Sequence, residues 1–166
     1  MNEEDAIPPT KRWPNRPRLA AFNYTGAHAY HLVFNTARHQ PLLVGAMAEL
    51  VVQSIQGAPT ATSFELLAYT VMPNHVHLLA RGTTDSANVV RLVQRCKQKP
   101  GFSYKRETGN QLWLPSFFDR IVRRGDDAVE IAAYILANPV RAGLMPAEDL
   151  WPFSGGTLLE AESGPS

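Results

Sequence analysis

The stretch that most constrains this chain is Tyr69-Thr70-Val71-Met72-Pro73-Asn74-His75-Val76-His77-Leu78-Leu79. Two apolar runs meet at Pro73-Asn74, a turn dipeptide, so the local reading is strand, tight turn, strand. Side chains alternate between faces along a strand, which puts His75 and His77 on one face and Val76 and Leu78 on the other. Two imidazoles so placed can both reach one divalent cation, and imidazole is a common metal ligand. The other reading of such a pair is two strand histidines satisfied by neighbouring hydrogen bonds. Residues elsewhere in the chain bear on the choice.

The sequence of 166 residues, 45% of them hydrophobic, is enough for one domain with its own core. No apolar run approaches the length of a membrane span. The first residues, Met1-Asn2-Glu3-Glu4-Asp5, are acidic and lack the apolar run of a signal peptide. The expectation is a cytoplasmic protein without membrane contact. The single cysteine, Cys96, excludes an internal disulfide and a cysteine zinc cage.

A net charge of +1 hides an uneven distribution. Between Ser86 and Arg124 stand nine basic residues: Arg91, Arg95, Lys97, Lys99, Lys105, Arg106, Arg120, Arg123 and Arg124. Only Glu107 and Asp119 oppose them. A basic middle with acidic flanks suits a polyanion-binding face, and an ordinary solvated helix face is the alternative.

Residues 1–18 hold four of the 13 prolines and read as an extended arm without a core. Residues 19–154 form the domain, and residues 155–166 a flexible, small-residue tail. Within the domain, His28 to Thr36 alternates as a first strand. Gly45 to Gln56 has helical spacing closed by Gly57. Phe64 to Val71 and His75 to Ala80 are the second and third strands. A second helix starts near Ser86 and is expected to end at Lys99-Pro100-Gly101. Leu112 to Arg123 contains a fourth strand, limited by Pro115. Asp126 to Asn138 is a third helix with Val129, Ala132, Ala133 and Leu136 as its apolar stripe. The order βαββαβ plus a helix predicts an α+β, ferredoxin-like sandwich: an antiparallel sheet with helices on one face and an open face for nucleic acid.

The third helix carries Tyr134 and Asn138, four residues apart and therefore on one face. A phenol is a competent nucleophile toward phosphorus when a metal withdraws charge, and the amide oxygen of Asn138 can complete a site begun by His75 and His77. Taken alone, a half-buried tyrosine and a C-cap asparagine before Pro139 are the common reading.

Together these residues resemble a known family. Val71 to Leu79 is similar to the histidine-hydrophobic-histidine motif of the single-tyrosine transposases, and more narrowly of the REP-associated tyrosine transposases. The resemblance continues through Leu112-Trp113, Phe117-Phe118-Asp119-Arg120, Tyr134-Ile135 and Asn138-Pro139-Val140-Arg141-Ala142-Gly143-Leu144 to Trp151-Pro152-Phe153-Ser154. It covers roughly Arg18 to Ser154. The resemblance implies Mg²⁺ or Mn²⁺ on His75, His77 and Asn138, with Tyr134 as nucleophile. It also implies a partner, single-stranded or hairpin DNA; monomer and homodimer both stay open. The 5′ phosphate would end on Tyr134, leaving a free 3′-OH. Backbone affinity would come from the basic residues between Ser86 and Arg124, with bases stacking on Trp113, Phe117 or Phe118 unless these are core. Leu114 and the Lys99-Pro100-Gly101 interruption depart from the family pattern, which bears on sequence-specific contacts rather than on chemistry. Tyr104 is a rival nucleophile by residue type, and Asn74 reads as a turn residue rather than a ligand. Two other classes stay open: a hairpin DNA or RNA binding module that does not cut, and a nucleotide hydrolase of the histidine-triad kind. The latter would want a third histidine where Leu79 stands.

Overall fold

Five antiparallel strands, five α-helices and one 3-10 turn (Ala37–His39) make up the computed structural model of the chain, which describes residues 28–123 and 125–162. The arm over residues 1–18 and Arg124 lie outside the described residues. The elements are β1 (Ala29–Asn35), α1 (Gly45–Thr62), β2 (Phe64–Met72), β3 (His75–Gly82), α2 (Val89–Thr108), β4 (Phe118–Val122), α3 (Gly125–Leu136), α4 (Asn138–Arg141), β5 (Ser154–Gly155) and α5 (Thr157–Glu162). The sheet order is β4-β1-β3-β2-β5. Its first four strands are compatible with the ferredoxin-like βαββαβ arrangement, and β5 adds a fifth.

The β2–β3 hairpin sets the register of everything else. Met72 and His75 are paired across the two-residue Pro73-Asn74 turn, and the ladder runs from there to Phe64 and Gly82. Strand alternation then separates two cores. Tyr30, Leu32 and Phe34 of β1 and Val76, Leu78 and Ala80 of β3 pack with Val51 and Ile55 of α1 and Leu92, Val93 and Cys96 of α2. Ala29 of β1 and Leu79 of β3 pack on the other face, against Ala128, Ile131, Ala132 and Ile135 of α3. Each fully buried Leu or Ile contributes roughly 1.5–3 kcal/mol, so α3 is held as a genuine second layer. The sheet therefore has no open face along α3. Among the described residues no helix is long and apolar enough to cross a membrane.

Several boundaries differ from the sequence expectation. Helix α1 continues past Gly57 and through Pro59 to Thr62, and ends with Ser63 in the left-handed region (φ 61°, ψ 50°). Helix α2 likewise passes through Pro100 to Thr108. A proline inside a helix removes one backbone hydrogen bond. Here that loss is outweighed because Pro100 itself is buried and continues the apolar stripe of Leu92, Val93 and Cys96. The start of α2 is capped by Asn88 rather than Ser86, its Oδ1 accepting from the Val90 and Arg91 amides at 2.9 and 3.2 Å.

The expected apolar stripe on α3 holds at Ala132 and Leu136, which pack on the sheet-side core, and fails at its other two positions. Val129 is 57% exposed and Ala133 is also exposed, whereas Ala128, Ile131, Ala132 and Ile135 face the sheet. Asn138 does not cap α3; it opens the single turn α4. The turn follows α3 almost without interruption, since the Ala137 and Arg141 amides donate to Ala133 and Ala137. Residues 155–162 are not a flexible tail. Val71 N donates to Phe153 O at 2.9 Å, Trp151 Nε1 donates to Val71 O at 2.9 Å, and β5 pairs with β2 before α5. Gly156 takes φ +119° there and leaves no room for a Cβ against the Leu67 carbonyl and the Ala68 backbone.

Candidate active site

His75 and His77 project from β3 toward the face that carries α3, because the alternating residues Val76 and Leu78 are committed to the α1–α2 core. Their rings stand 5.0 Å apart between centroids at an interplanar angle of 80°. Each has its Nδ1 engaged. His75 Nδ1 donates to Asn74 Oδ1 at 2.6 Å, since an amide oxygen only accepts. His77 Nδ1 is 3.0 Å from His31 Nε2, and in the tautomer with the hydrogen on His77 its Nε2 presents a lone pair. Both Nε2 atoms are buried without a partner.

Burial keeps these rings neutral. Desolvation, with a smaller push from His39, lowers His75 to about 3. Desolvation, then His75, His31 and Arg141, holds His77 well below the usual histidine value. His31 is lowered to about 4 by burial and by Arg120. Neutral imidazole is the form that binds a metal.

Tyr134 on α3 meets this pair edge-on, its ring centroid 6.1 Å from that of His77. Asn138, one turn further, is buried, and its Nδ2 has no partner. Arg141 lies over the Tyr134 ring, its Cζ 3.6 Å from the centroid, and its Nη2 donates to the Tyr134 carbonyl at 3.2 Å. Partial burial raises the phenol pKa, and the charge and hydrogen bonding of Arg141 pull it back.

Three of the four residues expected at the centre on sequence grounds, His75, His77 and Asn138, thus share an unusual property: each is buried with an orphaned polar atom, beside Tyr134. The two ends of an amide exchange by a half-turn, so Asn138 can present its oxygen where Nδ2 stands. Two bare imidazole nitrogens and an amide oxygen fit a divalent cation with open positions. Among the described residues no three His, Cys, Asp or Glu side chains converge as a metal site.

Sequence reasoning missed His31, Arg141 and the orienting role of Asn74. Alternation along β1 was signal enough for His31, which sits opposite Tyr30 and Leu32. Arg141 is seven residues beyond Tyr134 and three beyond Asn138, again one helical face. Tyr104 packs at the edge of the α1–α2 core, on the far side of the sheet from the histidines.

The expected DNA contacts divide. Arg91, Arg95, Lys99, Lys105 and Arg106 are exposed on α2, across the sheet from the histidines. Lys97 is partly buried, donating to Leu114 O at 2.9 Å and Ser116 O at 3.1 Å. Arg120 is exposed on edge strand β4, paired in register with His31, and Arg123 follows it. Trp113 and Phe117 pack on the core, and Trp113 Nε1 donates to Lys97 O at 3.1 Å. Among the described residues the exposed aromatic is Phe102 on α2, at 69%.

Residues 24–138 match the family model described as IS200-like transposase. The chain belongs to the IS200-like transposase family. It is 31% identical over 94 residues to the REP-associated tyrosine transposase of Escherichia coli, covering 55% of this chain and 53% of that one. A Haemophilus influenzae protein described in the same terms is 28% identical over 104 residues, 55% of this chain and 58% of that one. This IS200-like transposase chain thus spans little more than half the length of these curated relatives. The solved structure of a REP-associated tyrosine transposase bound to a REP hairpin shares the fold, with a TM-score of 0.66 and 22% identity over 82% of this chain and 81% of that one.

Proposed function

We propose that this IS200-like transposase domain cuts and rejoins single-stranded DNA at hairpin, REP-like sequences through a 5′-phosphotyrosine on Tyr134. The observation that carries the reading is the group of buried, unpartnered atoms His75 Nε2, His77 Nε2 and Asn138 Nδ2 beside a half-buried tyrosine. An uncompensated buried polar atom costs roughly 1–3 kcal/mol, and three in one place mark a site built to receive something. Mg²⁺ or Mn²⁺ bound there supplies Lewis-acid stabilisation of the scissile phosphate.

The remaining work falls to the chain itself. Tyr134 Oη forms the new bond to phosphorus, the P–O3′ bond breaks, and the departing 3′ oxygen takes up a proton to become a 3′-OH. Because one phosphoester replaces another, rejoining is the reverse attack and needs no nucleotide cofactor. Arg141 holds the phenol ring from one side and supplies positive charge beside it as the phenol proton is lost. Asn74 and His31 hold the two imidazoles in the ligating orientation.

The hairpin is proposed as partner from the similarity to the REP-associated transposases. The exposed cations of α2 hold the backbone, and Arg120 and Arg123 mark a path around the β4 edge to the histidine face, with affinity falling as salt rises. The test is a hairpin substrate labelled in the fragment 3′ of the cut. The protein is expected to become covalently labelled with Mg²⁺ or Mn²⁺. Label should vanish in EDTA, in Tyr134→Phe and in the His75→Ala/His77→Ala variant, while Tyr134→Phe keeps its hairpin affinity. Labelling that persists in Tyr134→Phe overturns the nucleophile, and labelling in EDTA overturns the metal. A wild-type protein that binds hairpins yet is never labelled is a binding module.

A further inference from the structure

A further buried side chain on the same face carries an orphaned oxygen. Asn35 is the last residue of β1, only 5% exposed, and its Oδ1 is buried with no hydrogen-bond partner. Its position is fixed by the backbone. Asn35 pairs in register with His75, and its carbonyl accepts from Leu114 N at 3.0 Å. Phe34 beside it points into the α1–α2 core, so Asn35 faces the side of His75 and His77. Directly paired antiparallel residues bring their Cβ atoms to about 5 Å, yet neither Asn35 Oδ1 nor His75 Nε2 is satisfied by the other.

An amide oxygen can only accept, and what satisfies it must bring a positive charge or a hydrogen. A β-branched residue would suit the end of a central strand better, and leaving this oxygen unpaired costs roughly 1–3 kcal/mol. The hydroxyl next to it does not satisfy it: Thr36 Oγ1 is turned to the Gln40 and Asn74 carbonyls. Two imidazoles alone suit zinc and copper better than magnesium, whereas each added oxygen favours the hard cations Mg²⁺ and Mn²⁺.

We infer that Asn35 Oδ1 is a fourth donor of the His75–His77–Asn138 centre, binding the divalent cation itself or one of the waters the cation carries. The inference rests on the reading of that centre as a metal site. It assigns to β1 a part in metal choice that β3 and α4 do not supply alone.

The test is a Mn²⁺ titration of the full chain, following free Mn²⁺ by electron paramagnetic resonance, together with thermal melts with and without the ion. In Asn35→Leu, of nearly the same shape, Mn²⁺ affinity should fall about 10- to 100-fold. The metal-free melting temperature should stay level or rise, because the orphaned oxygen is gone. Asn35→Asp, which presents a charged oxygen from the same position, should bind Mn²⁺ at least as tightly as the wild type. A purely structural asparagine would behave oppositely, with a lower metal-free melting temperature and unchanged Mn²⁺ affinity. Asn35→Leu with wild-type affinity overturns the inference and leaves the metal centre standing. If Asn35→Leu does not fold, an Asn35→Asp protein that binds Mn²⁺ more weakly than the wild type overturns it equally. A wild-type protein that takes up no Mn²⁺ overturns the metal centre and this inference with it.

Discussion

Arg141 shows how much of the site depends on single side chains beyond His75, His77 and Asn138. Its guanidinium covers one face of Tyr134 at 3.6 Å and is tied to the same residue's carbonyl. Such a pair is worth roughly 0.5–2 kcal/mol, or a few-fold to thirty-fold in rate if it is felt in the step that forms the phosphotyrosine. Arg141→Leu should therefore slow covalent labelling by about that factor at neutral pH while hairpin affinity changes less. Arg141→Lys should recover only part of the rate, because an ammonium does not stack on the ring as a planar guanidinium does. Single-turnover labelling measures both, and an Arg141→Leu protein labelled at the wild-type rate removes Arg141 from the chemistry.

At the scale of elements, α2 does two jobs with residues that look alike in sequence. Its inner stripe, from Val89 through Pro100, is packed on the sheet, and its outer face carries Arg91, Arg95, Lys99 and Arg106 around exposed Phe102. Lys97 belongs to neither: it fastens the loop at Leu114 and Ser116, near the ring of Phe34. Replacing Arg91, Arg95 and Lys99 by Ala should weaken hairpin binding and flatten the plot of log affinity against log salt. The expected change is about 0.7–0.9 in slope for each phosphate that is no longer neutralised. Lys97→Ala should leave that slope nearly unchanged and instead lower stability by about 1–3 kcal/mol, since two carbonyls lose a charged donor. A salt titration of binding and a denaturant melt of each variant separate the two roles.

For the whole molecule, the buried imidazoles tie stability to pH. His31 and His75 titrate near 4 and 3 in the folded protein and His77 well below its usual value, against about 6.5 in the unfolded chain. Below 6.5 the unfolded chain takes up protons that the folded one refuses. Stability is therefore full above about pH 6.5 and declines as pH falls toward 4 and 3. The slope approaches roughly 1.4 kcal/mol per pH unit for each histidine that stays neutral in the fold. Melting temperatures of the metal-free protein should drop steadily between pH 7 and pH 5. The drop should be shallower in His31→Gln, and a flat profile would mean the rings are not held neutral.

The hairpin, the facing of His75 and His77, and the one-turn spacing of Tyr134 and Asn138 were determined by the sequence alone. Each depends on a local period, two along a strand and 3.6 along a helix, that any chain with this pattern must follow. The ends of α1 and α2 were not, because Gly57, Pro59 and Pro100 are local stop signals overruled by the burial of Ile55, Ala58 and Pro100 beneath the sheet. Nor was the facing of α3, where small alanines gave the apolar stripe no clear direction until Leu67 and Leu79 fixed it. Lys97, one basic residue among nine, became a strap only when the loop at Leu114 came within its reach. His31, Asn35 and Arg141 joined the site only through pairing: β1 laid against β3, and α4 docked beside them. Which polar atoms end buried without partners is a property of those long-range contacts, and no period in the sequence encodes it.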